Sequence, residues 1–277
     1  MNGAAPFQHH RRHLTPSGRW RRFTPMQRAG RYLVYLVVVA AFVASLRSVE
    51  VIPEFLFDAP VQMADMFQRM WPLDLAAYPA TIHGALLETL HIATLGTLIS
   101  LIMAVPLALL NARNVVSIGW LNWVARFFLV ASRSVNSLIW ALLFVAVFGP
   151  GVLAGVLAVA LRSVGFVGKL FAEAIEEINM GSVEALRATG ASPASVLLKA
   201  YWPQVKPAFY SIVLFRWDIN VRESAVLGLV GAGGIGVVLN DAMNLFQWPR
   251  VATALLSIFV VVLLIELLVV QVRKRLL

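Results

Sequence analysis

The stretch Ser182–Pro203 reads SVEALRATGASPASVLLKAYWP and interrupts an otherwise apolar chain. Ser182 has the chemistry of a helix N-cap, a hydroxyl that accepts from the first unpaired N–H groups, and this predicts a short helix through Thr189. Gly190 is a suitable stop, because glycine takes the left-handed conformation that closes helices. Ser192-Pro193 then supplies a cap and a first-turn residue for a second helix. That helix presents Val196, Leu197 and Ala200 on one side, and Pro203 is expected to end it. Two short helices joined by a glycine elbow make a compact docking knob.

The surroundings of this knob define the class of protein. The chain has 277 residues, 60% hydrophobic and 13% charged, with mean hydropathy +0.79. Soluble domains carry about 45–50% apolar and about 25% charged residues. The composition therefore reads as an all-α integral membrane protein of about six transmembrane helices, at roughly 20 residues each. There is no cysteine, which excludes disulfides and thiolate metal sites.

Charge sets the orientation. The net charge is +9. Arg11, Arg12, Arg19, Arg21, Arg22, Arg28 and Arg31 make residues 1–31 a basic tail without acids. Such a tail beside a span reads as a cytoplasmic anchor rather than a nucleic-acid arm. An N-terminal span follows over 32–48, read as an uncleaved anchor, with a cleaved signal segment as the alternative. Residues 49–83 are external: Glu50, Glu54, Asp58, Asp65 and Asp74 outnumber Arg69. Within them Val61, Ala64, Phe67 and Trp71 share one face of a surface-lying helix. Residues 84–277 form the core, with spans expected at 84–110, from about Trp120 to the Gly149-Pro150-Gly151 turn, on to Leu170, from Ala208, and over 251–270. The cytoplasmic loop is 172–206, and Arg273-Lys274-Arg275 places the C-terminus inside as well. No internal repeat supports an inverted-repeat secondary transporter.

The knob has a motif. Glu184-Ala185-Leu186, then Gly190, then Pro203 reproduce the spacing E-A-A, three residues, G, nine residues, I-x-L-P. Leu186, Ala200 and Trp202 depart from its residue types. This pattern resembles the coupling loop of ABC importer permeases. The stretches LLETLHIATLGTLIS (86–100), PLALLNARN (106–114), GKLFAEAIEEI (168–178) and VRESAVLGLVGAGGIG (221–236) are similar to the phosphonate-type permeases of that group, which serve phosphonate, phosphite and related anions. The resemblance covers about residue 84 to the end and implies a type I ABC importer permease-like core with an additional N-terminal span. It implies a homodimer in the bacterial inner membrane, two ATPase subunits that bind ATP and Mg, and an external binding protein. It implies no cofactor, metal, nucleic acid or catalytic residue on this chain. Arg162 and Ser137 stand where the subgroup has histidine and glutamate.

Charges within the spans mark a path, because such residues usually face a bundle interior or a watery cavity. Asp218 and Arg222 are placed to pair at i, i+4, which would leave Arg216 and Asn220 free for a substrate. Arg133, Asn136 and Arg162 are candidates for the same lining, and arginine suits oxyanions through its two parallel donors. The alternative is a salt-bridge network that only locks spans together. Arg126 reads as a snorkelling interfacial residue, and His91 as a packed imidazole or proton carrier.

Gly231-Ala232-Gly233-Gly234-Ile235-Gly236 matches G-x-G-x-x-G. A dinucleotide turn needs a preceding buried strand and an acid about 20 residues on, and neither is present. These glycines read instead as an external gate that packs against a symmetry mate. No P-loop, H-E-x-x-H or G-x-S-x-G occurs, so a membrane-embedded enzyme is disfavoured and the energy source must be a partner. An ion-coupled secondary transporter would explain Asp218 and Arg222 but leaves the knob without a role.

Overall fold

A computed structural model describes residues 25–48 and 53–276. Most of the expected basic tail, 1–24, and residues 49–52 of the external segment lie outside the described residues. The chain forms two units that divide at Gln62. In the first, α1 (Pro25–Ser48) is one continuous helix of 24 residues. It contains the expected N-terminal span and is long and apolar enough to cross a membrane. Helix α2 (Pro53–Arg69) runs across the division and starts eight residues before the expected surface helix.

The second unit contains the remaining elements. They are α3 (His83–Asn111), α4 (Gly119–Ser134), α5 (Ser137–Phe148), α6 (Val152–Glu176), α7 (Met180–Ala188), α8 (Pro193–Val196), α9 (Trp202–Leu227), α10 (Ile235–Asn244) and α11 (Trp248–Leu276). Every regular element among the described residues is helical. Among the described residues, four helices are long and apolar enough to span a membrane, and the number reaches six if two bent pairs count as single spans. This is the expected all-α membrane architecture.

Helix α6 is the axis of the bundle. It packs most extensively on α3, and also on α4, α5 and α9. Its sequence explains why: Ala154, Ala158, Ala160, Ser163, Gly165 and Gly168 are all buried and small. Small residues let helix backbones approach closely, which drives association where lipid supplies no hydrophobic force. At Gly165 a Cβ would collide with the carbonyl of Leu129 and lie 2.9 Å from the N of Arg133, both on α4.

The third expected span is broken. Helices α4 and α5 meet at 88°. Val135 and Asn136 are both extended, and the Asn136 side chain caps α5 by accepting from the Leu138 N–H at 3.1 Å. A run such as SLIWALLFVAVF reads as the second half of a straight span because hydropathy ignores the capping chemistry just before it.

The knob also differs in detail. Helix α7 is capped by Asn179, which accepts from the Gly181 N–H at 2.9 Å, and not by Ser182. Gly190 has φ +77°, as expected of the elbow, and Ser192 caps α8. Pro203 does not end the second helix. The chain stays helical through a π turn, Leu197–Tyr201, and Pro203 sits in the first turn of α9. The π turn shifts the hydrogen-bond ladder just before it, with the Trp202 N–H reaching back to the Leu197 carbonyl, and so makes room for a proline inside a continuous helical stretch. Helix α9 therefore begins six residues before the expected Ala208, and α10 fills a segment the sequence reading left unassigned.

The close approach of α4 and α6 is testable. Gly165→Val should lower stability by about 1–3 kcal/mol, the usual range for overpacking, read as a lower thermal midpoint of the purified protein. Gly84→Ala, where a Cβ meets nothing within 4 Å, should leave the midpoint unchanged.

Candidate functional site: a coupling knob and a shared-carboxylate cluster

Two regions carry the candidate residues. The first is the knob. Its foot is an apolar cluster in which Val183 of α7 and Val196 of α8 are buried among Ala108 of α3, Ala112 just past its end, Phe171 and Ile175 of α6, and Val205 of α9. Polar contacts fix the same junction. The Asn114 side chain donates to the Ile175 carbonyl at 2.6 Å, the Tyr201 hydroxyl donates to the Asn114 carbonyl at 3.0 Å, and the Asn179 N–H donates to Gln204 at 3.0 Å. With the apolar side chains turned inward, Glu184, Ala185, Gly190 and Pro203 are all exposed. The helices are thus anchored to three long elements and offer the motif residues outward.

The second region joins α3, α5, α6 and α9 through polar side chains. Asn220 is fully buried, donates to the Thr97 hydroxyl at 2.8 Å and accepts from the Ser163 hydroxyl at 3.1 Å. Arg216 donates from Nε to Ser163 Oγ at 2.9 Å and pairs with Glu223 Oε2 at 3.3 Å. Its guanidinium also lies 5.4 Å from the Phe166 ring centre. The other Glu223 oxygen faces Arg162 Nε at 3.4 Å. Arg162 in turn reaches Asn136 Oδ1 at 3.4 Å and Ser137 Oγ at 3.5 Å, at the start of α5.

Placement of the candidates is therefore uneven. Asn136, Arg162, Arg216 and Asn220 come together in one cluster. Arg216 and Asn220, expected to be free for a substrate, are instead buried and hydrogen-bonded to protein groups. The physical reason is Glu223, seven residues after Arg216 and on the same helical face. Arg222 does pair with Asp218, as expected, while remaining half exposed. Arg133 is elsewhere, lining a cavity of about 260 Å³ with Arg126, Lys169, Glu173 and Glu176. Glu223 belongs, with Arg216, Asp218 and Arg222, to the alternative expected from the sequence, a salt-bridge network that locks two spans together, and its spacing from Arg216 is the signal for that pair. Thr97 and Ser163 gave no signal, because only the packing of α3, α6 and α9 unites them.

The glycine run is a turn between α9 and α10. Gly231, Gly233 and Gly234 all have positive φ. Within its own chain it packs against α3 and against the turn before α6. The Gly151 N–H donates to the Gly231 carbonyl at 2.9 Å, and the Ile235 N–H donates to Thr89 Oγ1 at 2.8 Å. A Cβ on Gly234 would sit 2.6 Å from that same hydroxyl, and one on Gly233 would sit 2.9 Å from a Glu88 oxygen. Gly236 is buried against Gly228. Glycine is thus required both for the dihedrals and for the approach to α3.

Among the described residues, no group of three or more His, Asp or Glu side chains is placed to hold a metal. The geometry is that of a helical bundle with a polar cluster inside it and a short two-helix knob at one end. Residues 96–277 match the family model described as binding-protein-dependent transport system inner membrane component, and the chain belongs to that family. It is a multi-pass inner-membrane permease with a type I ABC importer permease-like fold. It is 42% identical over 237 residues to the phosphate-import permease protein PhnE of Mycolicibacterium smegmatis, covering 86% of this chain and 44% of that one. It is 44% identical over 204 residues to the phosphite transport system permease protein PtxC of Stutzerimonas stutzeri, covering 74% of each. The chain thus spans less than half the length of the first of these relatives and about three quarters of the second. Among solved structures, an inward-facing MetNI methionine ABC transporter chain aligns with TM-score 0.64 at 21% identity, over 71% of this chain and 96% of that one.

The Thr89 contact carries a prediction. Thr89→Val removes the acceptor for the buried Ile235 N–H and should cost about 1–3 kcal/mol. Amide hydrogen exchange across residues 228–236 should speed up accordingly, while α6 stays protected.

Proposed function

We propose that the chain is the membrane-spanning, non-catalytic subunit of an ATP-driven importer that moves a small phosphorus oxyanion, phosphonate, phosphite or a similar ion, into the cytoplasm by alternating access. The observation that carries this reading is the knob, whose foot is buried in the ends of α3, α6 and α9 while Glu184, Ala185, Gly190 and Pro203 face outward. A separate pair of ABC ATPase subunits, which hold ATP and Mg, docks there. Closure of those subunits pushes the knob, and the apolar foot passes the push to the spans.

The choice of cargo rests on the relatives, a phosphate-import permease and a phosphite transport permease by name, together with the arginines. Arg133, Asn136, Arg162, Arg216, Asn220 and Arg222 serve the path: Arg162 and Arg222 retain exposed surface, Arg216 shares Glu223 with Arg162, and Asn220 holds α9 against α3 and α6. Helix α9 supports a homodimer. Phe215, Arg222 and Val226 form an exposed face of it, continued by Leu229 in the turn that follows. A half-exposed guanidinium within a span calls for protein or water as its cover, and a second copy supplies both. The turn at Gly231, Gly233, Gly234 and Gly236 acts as the external gate, where a binding protein delivers the anion. The basic 1–31 tail and the C-terminus lie in the cytoplasm, 49–83 outside, with 84–277 as the transport core.

The docking assignment has a direct test. Glu184→Lys should reduce both uptake and binding-protein-stimulated ATP hydrolysis by about tenfold or more, since disrupting one charge at an interface commonly costs 2–5 kcal/mol. The variant should still reach the membrane in normal amount. Unchanged ATP hydrolysis coupled to uptake of phosphite or phosphate would overturn the docking role.

A further inference from the structure

The Arg162–Glu223–Arg216 cluster has one negative charge for two positive ones. The neighbouring Asp218 and Arg222 neutralise each other and add nothing to this balance. An unbalanced charge inside a bundle is costly, and buried ions persist only when paired and hydrogen-bonded. The two arginines share the deficit unequally. Arg216 is 3% exposed and held on three sides, by Ser163, Glu223 and the Phe166 ring. Arg162 is 31% exposed, and its contacts to Glu223, Asn136 and Ser137 are all 3.4–3.5 Å long. Charge-assisted N–H···O bonds settle near 2.7–2.9 Å. A guanidinium has five donors in a planar fork. None of these contacts uses Nη2, so part of the hydrogen-bonding capacity of Arg162 is unspent, and its side chain is partly exposed.

We propose that Glu223 is a resident stand-in for the transported anion: in the empty permease it holds Arg162 loosely, and an arriving oxyanion displaces it and takes the Arg162 fork. This rests on the oxyanion-import reading and adds a specificity-setting residue to it. The exchange is non-covalent. The Arg162–Glu223 contact breaks, two N–H···O contacts to the anion form, and Glu223 remains on Arg216. With the anion bound, two negative groups face two guanidiniums and the deficit is gone. Displacement by the cargo also limits how tightly the cargo is held, because the carboxylate competes for the same donors when the anion leaves. A site for a passing anion needs that competition, whereas a site for a retained ligand does not.

The test uses the complete complex of permease, ATPase subunits and binding protein, with inorganic phosphite and phosphate as probes. Glu223→Gln removes the competing charge. It should tighten equilibrium binding of the anion to the permease by roughly tenfold, the equivalent of one charge-assisted hydrogen bond, and should lower kcat and KM for uptake together. Glu223→Asp keeps a countercharge for buried Arg216 but is too short to span both guanidiniums, so it should tighten binding severalfold even if the glutamine variant folds poorly. Adding Arg162→Gln to either variant should abolish the gain. Binding that is unchanged or weaker in Glu223→Asp, or a gain that survives loss of Arg162, overturns the proposal. If the wild-type complex imports phosphite or phosphate and the Glu223 variants bind it no more tightly, only the stand-in role fails. If the wild-type complex neither binds nor imports either anion, the functional reading itself fails.

Discussion

Charged side chains carried into an apolar bundle must find partners there, and this constraint organises the core of the molecule. Helix α9 brings Arg216, Asp218, Arg222 and Glu223 into the bundle within two turns. At a helix centre each ion costs about 2.5–3.5 kcal/mol on the insertion scale. The chain answers by pairing Asp218 with Arg222 along α9 and by placing Arg162 of α6 against Glu223. Asn220, on the buried side, reaches α3 at Thr97 and α6 at Ser163. The polar residues of one helix thus set the register of two others. The small residues of α6 allow the approach that makes those contacts short enough to form.

Much of this was legible in the sequence, for identifiable reasons. Composition gave the membrane class, and the long apolar runs gave α1, α3, α6 and α11 almost directly. The knob was legible because its signals are local: Gly190 for the elbow, Ser192 and Pro193 for the second start. Local signals also misled. Ser182 and Asn179 are both good caps, and three residues of sequence do not decide between them. Pro203 reads as a stop only if a proline ends a helix, yet the same residue is favoured in a first turn. The 88° break in the third span was signalled by Asn136, a cap residue hidden between apolar stretches.

The polar cluster was legible only in part. Asp218 with Arg222 follows from i, i+4 spacing on one helix. Arg216 with Glu223 follows from i, i+7, a weaker guide because the side chains must bridge two turns. Arg162, Ser163 and Thr97 lie on other helices, and no spacing rule reaches across chain separations such as the 123 residues between Thr97 and Asn220. The glycine run shows the same limit. Its pattern matched a phosphate-binding turn, but Thr89 and Gly151 decide what it does, and both are distant in sequence.

The two regions are joined by α6 and α9, and the contacts between those helices differ in kind along their length. At the foot of the knob they are apolar and tightly packed through Phe171, Ile175 and Val205. Midway, Asn220 and Ser163 tie them by a buried hydrogen bond that water cannot replace. Beyond it, Arg162 meets Glu223 across 3.4 Å with part of the pair open. A push at the foot must move a packed body, because interiors at native density do not yield locally. Relative motion of α6 and α9 is then expressed where the contact is longest, polar and partly exposed. That place is the Arg162–Glu223 pair, so the contact an anion would displace is also the one a movement of the knob would most readily open.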